Sequence, residues 1–313
     1  MLLTLVALAV GVALLAFAAD QFVIGAARVA LISRISPLVV GVVIIGFGTS
    51  TPELLVSAIA AGGGDPEIAV GNIVGSNIAN LSLLLGIGAI IVPITVASST
   101  VRRETPITVA AMVLFLVLVQ GGVNWWEGIV LLGAMAGALW LVTHGSKAGV
   151  DPLGPEAEEL ADATHHSMRT EVVRTVLGLV GTVAGAQLLL WGAVDIADRA
   201  GLGQGFVGAT LVAVGTSLPE LVTVVQSARR RETDLIVGNL LGSNLFNALG
   251  VGGVIGLIGA RGLDDTRLTL VAAGAAVGVS LLAAMAMSTR RTVVRWEGIG
   301  LIVVYAAIVP FLA

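Results

Sequence analysis

Two short stretches carry residues able to do chemistry. Gly46-Phe47-Gly48-Thr49-Ser50-Thr51-Pro52-Glu53 and Val214-Gly215-Thr216-Ser217-Leu218-Pro219-Glu220 each set a carboxylate beside a proline, hydroxyls and glycine, inside a long apolar run. A charge in such a run is costly and marks a functional group by default. Proline has no N–H and clashes with the carbonyl four residues back, so it opens a helix and frees backbone carbonyls. Broken helices are tolerated in a membrane where they line a cavity. A matched pair of them in two halves points to the binding site of a cation transporter. Pro52 fits the first position of a new half-helix, with Thr51 as its cap. Glu53 then sits in the first turn, where the helix dipole favours an ionised carboxylate. Thr49 and Ser50 precede Glu53 as Thr216 and Ser217 precede Glu220.

A second pair of stretches supplies neutral oxygens. Gly71-Asn72-Ile73-Val74-Gly75-Ser76-Asn77-Ile78-Ala79-Asn80 matches Gly238-Asn239-Leu240-Leu241-Gly242-Ser243-Asn244-Leu245-Phe246-Asn247 at six of ten positions. The glycines have the spacing that lets helices approach closely. Ser76 and Asn80 are four apart and share one helix face, as do Ser243 and Asn247. Carboxylates, hydroxyls, amide oxygens and freed carbonyls are all hard ligands, suited to Ca²⁺ and to Na⁺. Soft-metal chemistry is excluded by the absence of cysteine, and His144, His165 and His166 lie in or near one polar stretch. Lys147 is the only lysine and no phosphate-cradling loop precedes it, so the chain has no ATP-driven pump of its own. Without a cysteine or a transmembrane histidine, an intramembrane enzyme is not expected.

The elements that must position these residues follow from composition. The chain has 313 residues, 57% hydrophobic and 12% charged, with a net charge of −4 and a mean hydropathy of +1.02. Ten apolar segments are long enough to span a bilayer: 1–27, 37–61, 67–92, 106–121, 125–143, 172–197, 204–228, 234–259, 267–287 and 296–313. The glutamates and the glycine–asparagine stretches recur at an offset of 167, and Trp126-Glu127-Gly128 recurs as Trp296-Glu297-Gly298 at an offset of 170. The expected fold is therefore an all-α membrane protein, ten helices in two inverted five-helix repeats with helices 2 and 7 broken. Residues 1–144 form the first repeat, 145–168 a polar acidic linker and 169–313 the second repeat. Thirteen of the sixteen basic residues fall in alternate connections. That bias puts the linker in the cytoplasm and both termini outside the cell membrane.

The paired motifs GTSTPE and GTSLPE, each followed by GNxxGSNxxN, resemble the two α-repeats of the sodium/calcium exchangers, within the cation/calcium antiporters. The resemblance covers nearly the whole chain. It implies Ca²⁺ held by Glu53 and Glu220 with the backbone carbonyls of Thr49 and Thr216. It implies Na⁺ sites that use Ser50, Ser76, Ser217 and Ser243, with carbonyls near Gly46 and Ala213, and it puts Asn80 and Asn247 in the middle. It also implies that helices 1 and 6 slide across the other eight. Thr51 stands where the family has leucine. Many such exchangers carry aspartate at the position of Asn247, so this site holds two carboxylates rather than three. Proton-coupled relatives have glutamate shortly after GN, and this chain does not.

Two bare carboxylates at mid-membrane are costly even after relaxation. An empty site should resist switching sides, whereas one Ca²⁺, two Na⁺ or two protons neutralise it. The expected activity is Ca²⁺/Na⁺ antiport, with Ca²⁺/H⁺ antiport as the alternative. No cofactor beyond the transported ions is expected, no nucleic acid, and no protein partner is indicated besides the lipid bilayer. Asp20 and Asp195, near the ends of helices 1 and 6, are read as interfacial or structural, Asn72 and Asn239 as holding broken-helix backbone, and Trp125, Trp126 and Trp296 as interface anchors. Arg229-Arg230-Arg231 is read as a topology signal.

Overall fold

The computed structural model describes residues 2–33, 35, 37–120, 122–145, 167–199, 213–259 and 267–312. The protein is an all-α membrane protein of ten transmembrane helices in two inverted five-helix repeats, with one small two-stranded sheet. The first repeat comprises α1 (Leu2–Ser33), α2 (Pro37–Thr49), α3 (Thr51–Gly63), α4 (Pro66–Ile91), α5 (Glu104–Val119) and α6 (Trp125–Gly145). Here α2 and α3 are the halves of one broken span, bent by 45°. The second repeat comprises α7 (Met168–Arg199), α8 (Ala213–Thr216), α9 (Leu218–Arg229), α10 (Thr233–Ile258), α11 (Leu270–Ser288) and α12 (Arg295–Leu312). Strand β1 (Ile94–Thr95) follows α4, and β2 (Thr292–Val293) precedes α12. They pair antiparallel, Ile94 with Val293 and Thr95 with Thr292, and so stitch one repeat to the other.

The helices at the centre are α4 and α10. Their apolar windows are 78% buried, against 33% for α1 and 28% for α7. Lipid gives no hydrophobic reward for helix association, so close packing of small residues has to supply it. A Cβ at Gly238 would lie 2.5 Å from the Leu38 carbonyl, and one at Gly242 2.5 Å from the Val42 carbonyl. These glycines let α2 lie against α10, as their spacing predicts. The repeats also interlock at their last helices. A Cβ at Gly128 of α6 would lie 2.7 Å from the Gly253 carbonyl of α10, and one at Gly298 of α12 would lie 2.8 Å from the Gly86 carbonyl of α4. The glutamate of each Trp-Glu-Gly motif accepts a hydrogen bond from the backbone N–H three residues earlier, Asn124 at 2.5 Å and Val294 at 2.9 Å. That satisfies a donor which a helix start leaves open. The repeated motif is thus a helix start joined to a close-contact glycine.

Outside this core, α1 and α7 run antiparallel along each other. Gly25 meets Thr175, Gly185 meets Leu15, and Gly192 meets Leu8. Thr4 donates to Asp195 at 2.5 Å near one end, and Arg28 pairs with the buried Glu171 at 3.4 Å near the other. The first helix is longer than the expected 1–27 and runs to Ser33. Arg28 therefore lies inside α1 and answers a buried carboxylate, where the sequence suggests a connecting loop. Asp20 likewise sits within α1 rather than near its end, and pairs with Arg230 at 2.6 Å. The linker 145–168, with His165 and His166, lies almost wholly outside the described residues, and so does the first part of the expected span 204–228.

Candidate functional site

Both broken helices open at the same residue of the repeat. Ser50, between α2 and α3, has φ −82° and ψ 10°, and Ser217, between α8 and α9, has φ −87° and ψ 6°. The break arises because Pro52 and Pro219 cannot donate to the carbonyls of Gly48 and Gly215. The half-helices then restart with Glu53 and Glu220 in their first turns, where the dipole favours a carboxylate. The cap differs from expectation. Thr51 is already helical and its hydroxyl donates back to the Phe47 carbonyl at 3.4 Å, so Ser50 occupies the boundary and Pro52 is the second helical residue. Thr51 reaches back because its own backbone is already in the helix.

The inverted arrangement brings the two breaks together. Ser50 Oγ donates to Glu220 Oε1 at 2.9 Å, and Ser217 Oγ donates to Glu53 Oε1 at 3.1 Å. Each carboxylate is thus held by the hydroxyl at the other repeat's break. Glu53 and Glu220 are 1% and 0% exposed. Their second oxygens, Glu53 Oε2 and Glu220 Oε2, have no hydrogen-bond partner among the described residues. Buried polar groups are nearly always paired, so these two oxygens mark the centre as the candidate site. Among the described residues no group of three or more His, Cys, Asp or Glu converges. The site is two acids amid neutral oxygens.

Thr49, Thr216, Ser76, Ser243, Asn80 and Asn247 are all buried. Ser217 Oγ also lies 3.5 Å from Ser76 Oγ. The single Thr49 hydroxyl proton has two acceptors in reach, the Ile45 carbonyl at 3.0 Å and Asn239 Oδ1 at 3.3 Å. Ser243 Oγ donates to the Gly46 carbonyl at 3.2 Å, and a Cβ at Gly46 would stand 2.7 Å from the Ser243 nitrogen. Gly46 is therefore a glycine for packing as well as a carbonyl near the break. Ala213 is the first residue of α8. Asn80 Nδ2 donates to Asn244 Oδ1 at 3.0 Å, while among the described residues Asn80 Oδ1 and both polar atoms of the Asn247 side chain lack partners.

Three features escape a sequence reading. Asn80 opens a π-helical stretch, Asn80–Leu84, and Asn247 lies in another, Phe246–Val251; such widenings recur at functional sites and have no residue signature here. Asn244 links the repeats, accepting from Asn80 and donating to the Asn77 carbonyl at 3.1 Å. Its place in the repeated GSN triplet is the one signal of that role. Asn72 does hold broken-helix backbone, donating to the Glu53 carbonyl at 3.1 Å, but Asn239 accepts from Thr49 and Ser243 instead.

The family model for sodium/calcium exchanger proteins matches residues 3–144 and 170–313. The chain belongs to the sodium/calcium exchanger family. It is accordingly a multi-pass membrane protein from a family of ion antiporters, not of enzymes. A putative antiporter, CaxA, of Alkalimonas amylolytica is 39% identical, over 95% of both chains. The sodium/calcium exchanger MaX1 of Methanosarcina acetivorans is 27% identical, over 96% of this chain and 95% of the relative. A solved structure of the sodium-calcium exchanger NCX_Mj, soaked with 10 mM Na⁺ and zero Ca²⁺, superimposes with a TM-score of 0.87 at 30% identity, covering 99% of this chain and 98% of the other.

Proposed function

We propose that this family member exchanges Ca²⁺ for Na⁺ by alternating access at a centre built on Glu53 and Glu220. The supporting observation is the reciprocal pairing of Ser50 with Glu220 and Ser217 with Glu53, which leaves one open oxygen on each buried carboxylate. Each such charge without a counter-ion costs several kcal/mol even after relaxation. A single Ca²⁺ cancels both, and so do two Na⁺. Movement of the empty centre across the membrane is the disfavoured step, which makes the cycle an exchange rather than a leak. In this reading Ca²⁺ takes the glutamates and the carbonyls of Thr49 and Thr216. Na⁺ takes Ser50, Ser76, Ser217 and Ser243 with the carbonyls of Gly46 and Ala213, and Asn80 and Asn247 border both. The arginine bias supports a cytoplasmic linker at 145–168 and two extracellular termini, with repeats at 1–144 and 169–313.

The test is ⁴⁵Ca²⁺ uptake into proteoliposomes preloaded with Na⁺, with choline, or with a pH gradient alone, at clamped voltage. Uptake only with internal Na⁺ is expected, and uptake driven by the pH gradient without Na⁺ would overturn the choice of counter-ion. Proton coupling is the second reading because asparagine at position 247 leaves only two acids, which two protons would neutralise as well. Voltage dependence separates two Na⁺ per Ca²⁺, which is electroneutral, from three.

A further inference from the structure

Where α5 begins and α11 ends, two surface openings join. One is a cavity of about 620 Å³ lined by Ser98, Val101, Arg102, Ser288, Arg290 and Arg291. The other, about 630 Å³, is an apolar groove along the helices, with Val109, Val113 and Val117 on one wall and Leu281 and Ala284 on the other. Val101 and Ser288 line both, so basic chamber and apolar groove are continuous. The three valines are spaced four apart and share one face of α5. Val113 and Val117 are exposed on the outside of the bundle.

Among the described residues no carboxylate pairs with Arg102, Arg290 or Arg291. The neighbouring acid, Glu104, is buried and pairs with Arg103 at 2.7 Å. The repeat does not impose these arginines either: 170 positions before Arg290 and Arg291 the chain has Gln120 and Gly121. Trp296, a few residues further on, is 79% exposed, as suits a side chain at the membrane–water interface. Arg290 and Arg291 closely follow the end of the membrane-length helix α11, and the groove runs back along that helix.

We propose that this composite cavity binds an anionic phospholipid, its phosphate against Arg102, Arg290 and Arg291 and an acyl chain in the groove between α5 and α11. Charge complementarity selects the occupant. Three unpaired guanidiniums favour a net-negative headgroup, whereas a zwitterionic lipid would bring an ammonium to the same chamber. The groove supplies what a free phosphate would leave unused.

Detergent-purified full-length protein is titrated with dioleoylphosphatidylglycerol or dioleoylphosphatidylcholine, and bound lipid is counted by native mass spectrometry. Glycerol 3-phosphate provides the soluble arm. The phosphatidylglycerol is expected to bind tighter by about tenfold or more, with no competition from glycerol 3-phosphate at equal concentration. The triple variant R102Q/R290Q/R291Q should erase the preference while phosphatidylcholine still binds. Ala284→Trp, which fills the groove and keeps the arginines, should weaken phosphatidylglycerol binding, and it keeps the proposal open to refutation if the triple variant does not fold. Equal binding of the two lipids overturns the proposal, as does a preference that survives both sets of substitutions. Displacement by glycerol 3-phosphate would mean a free-anion site. A preference that emerges only after Glu156, Glu158, Glu159 and Asp162 are neutralised would make the chain's own acidic stretch the occupant; either result replaces the lipid.

Discussion

Glu53 and Glu220 each accept a hydroxyl from the opposite repeat, at 3.1 and 2.9 Å, yet the asparagines that follow them differ in what they hold. Asn72 donates to the Glu53 carbonyl and to Ser57 Oγ, at 3.1 and 2.9 Å, and so braces the start of α3 from within its own repeat. Asn239 turns to the other repeat and accepts from Thr49. The cause is local. The residue matching Ser57 is Val224, which offers no acceptor. Repeat symmetry is thus kept at the groups facing the centre and relaxed one layer out, where Asn239 uses only its oxygen and its Nδ2 has no partner among the described residues.

The sharpest way to break this comparison is at the carboxylates. Glu53→Gln and Glu220→Gln are each expected to lower Ca²⁺ affinity by on the order of 100-fold or more, since unmatching a buried charge costs about 3–5 kcal/mol. Isothermal titration with Ca²⁺ and ⁴⁵Ca²⁺ flux read this directly. Full activity in both variants would remove the glutamates from the site. The loss should be similar for the two, because each carboxylate has the same reciprocal partner.

Next comes the packing that brings the halves together. Gly242→Ala places a methyl against the Val42 carbonyl, 2.5 Å from an ideal Cβ, and overpacking of this kind costs about 1–3 kcal/mol. Gly133→Ala, where an added Cβ meets nothing within 4 Å, should be neutral. Thermal unfolding in detergent separates them, and equal melting temperatures would show that α2 does not depend on that close approach.

The outer layer predicts an asymmetry. Ser57→Ala removes one acceptor of Asn72 and should cost about 1 kcal/mol with a matching fall in flux, because the start of α3 carries Glu53. Val224→Ser offers an acceptor to Asn239 Nδ2, which lacks one among the described residues, and should give no gain in Ca²⁺ affinity, since Asn239 Oδ1 stays engaged across the repeats. A gain would mean that Asn239 can return to its own repeat.

The same comparison marks what the sequence could carry. Glu53, Glu220 and their prolines were legible because a charge and a helix breaker are both costly in an apolar run, and such a cost is kept where a site needs it. The inverted repeat followed from an offset shared by separate motifs. The partners of Asn239 and Asn244 were not legible, because an amide can satisfy itself in several directions and only packing selects one. Arg28 was misleading for a related reason. An arginine near a helix end reads as a loop residue until the buried Glu171 facing it is known. The π-helical stretches at Asn80 and Asn247 belong to the backbone, and the residues in them would fit an α-helix as well.

The smallest effect is expected at the tie between the outer pair and the core. Asp20 of α1 pairs with Arg230 at 2.6 Å, with the two side chains 31% and 39% exposed. A partly exposed pair contributes about 0–1 kcal/mol and is screened by salt. Asp20→Asn should therefore shift stability by less than about 1 kcal/mol and leave Ca²⁺ affinity unchanged, in contrast to the same chemical change at Glu53. If α1 and α7 move as a unit against the core, the seam of glycines that joins them stays intact while this outer tie breaks. Asp20→Asn should then alter the turnover rate without altering the Ca²⁺ concentration for half-maximal flux. A loss of affinity comparable to that in Glu53→Gln would show that α1 reaches the ion site itself, and the division into a binding core and an outer pair would fail.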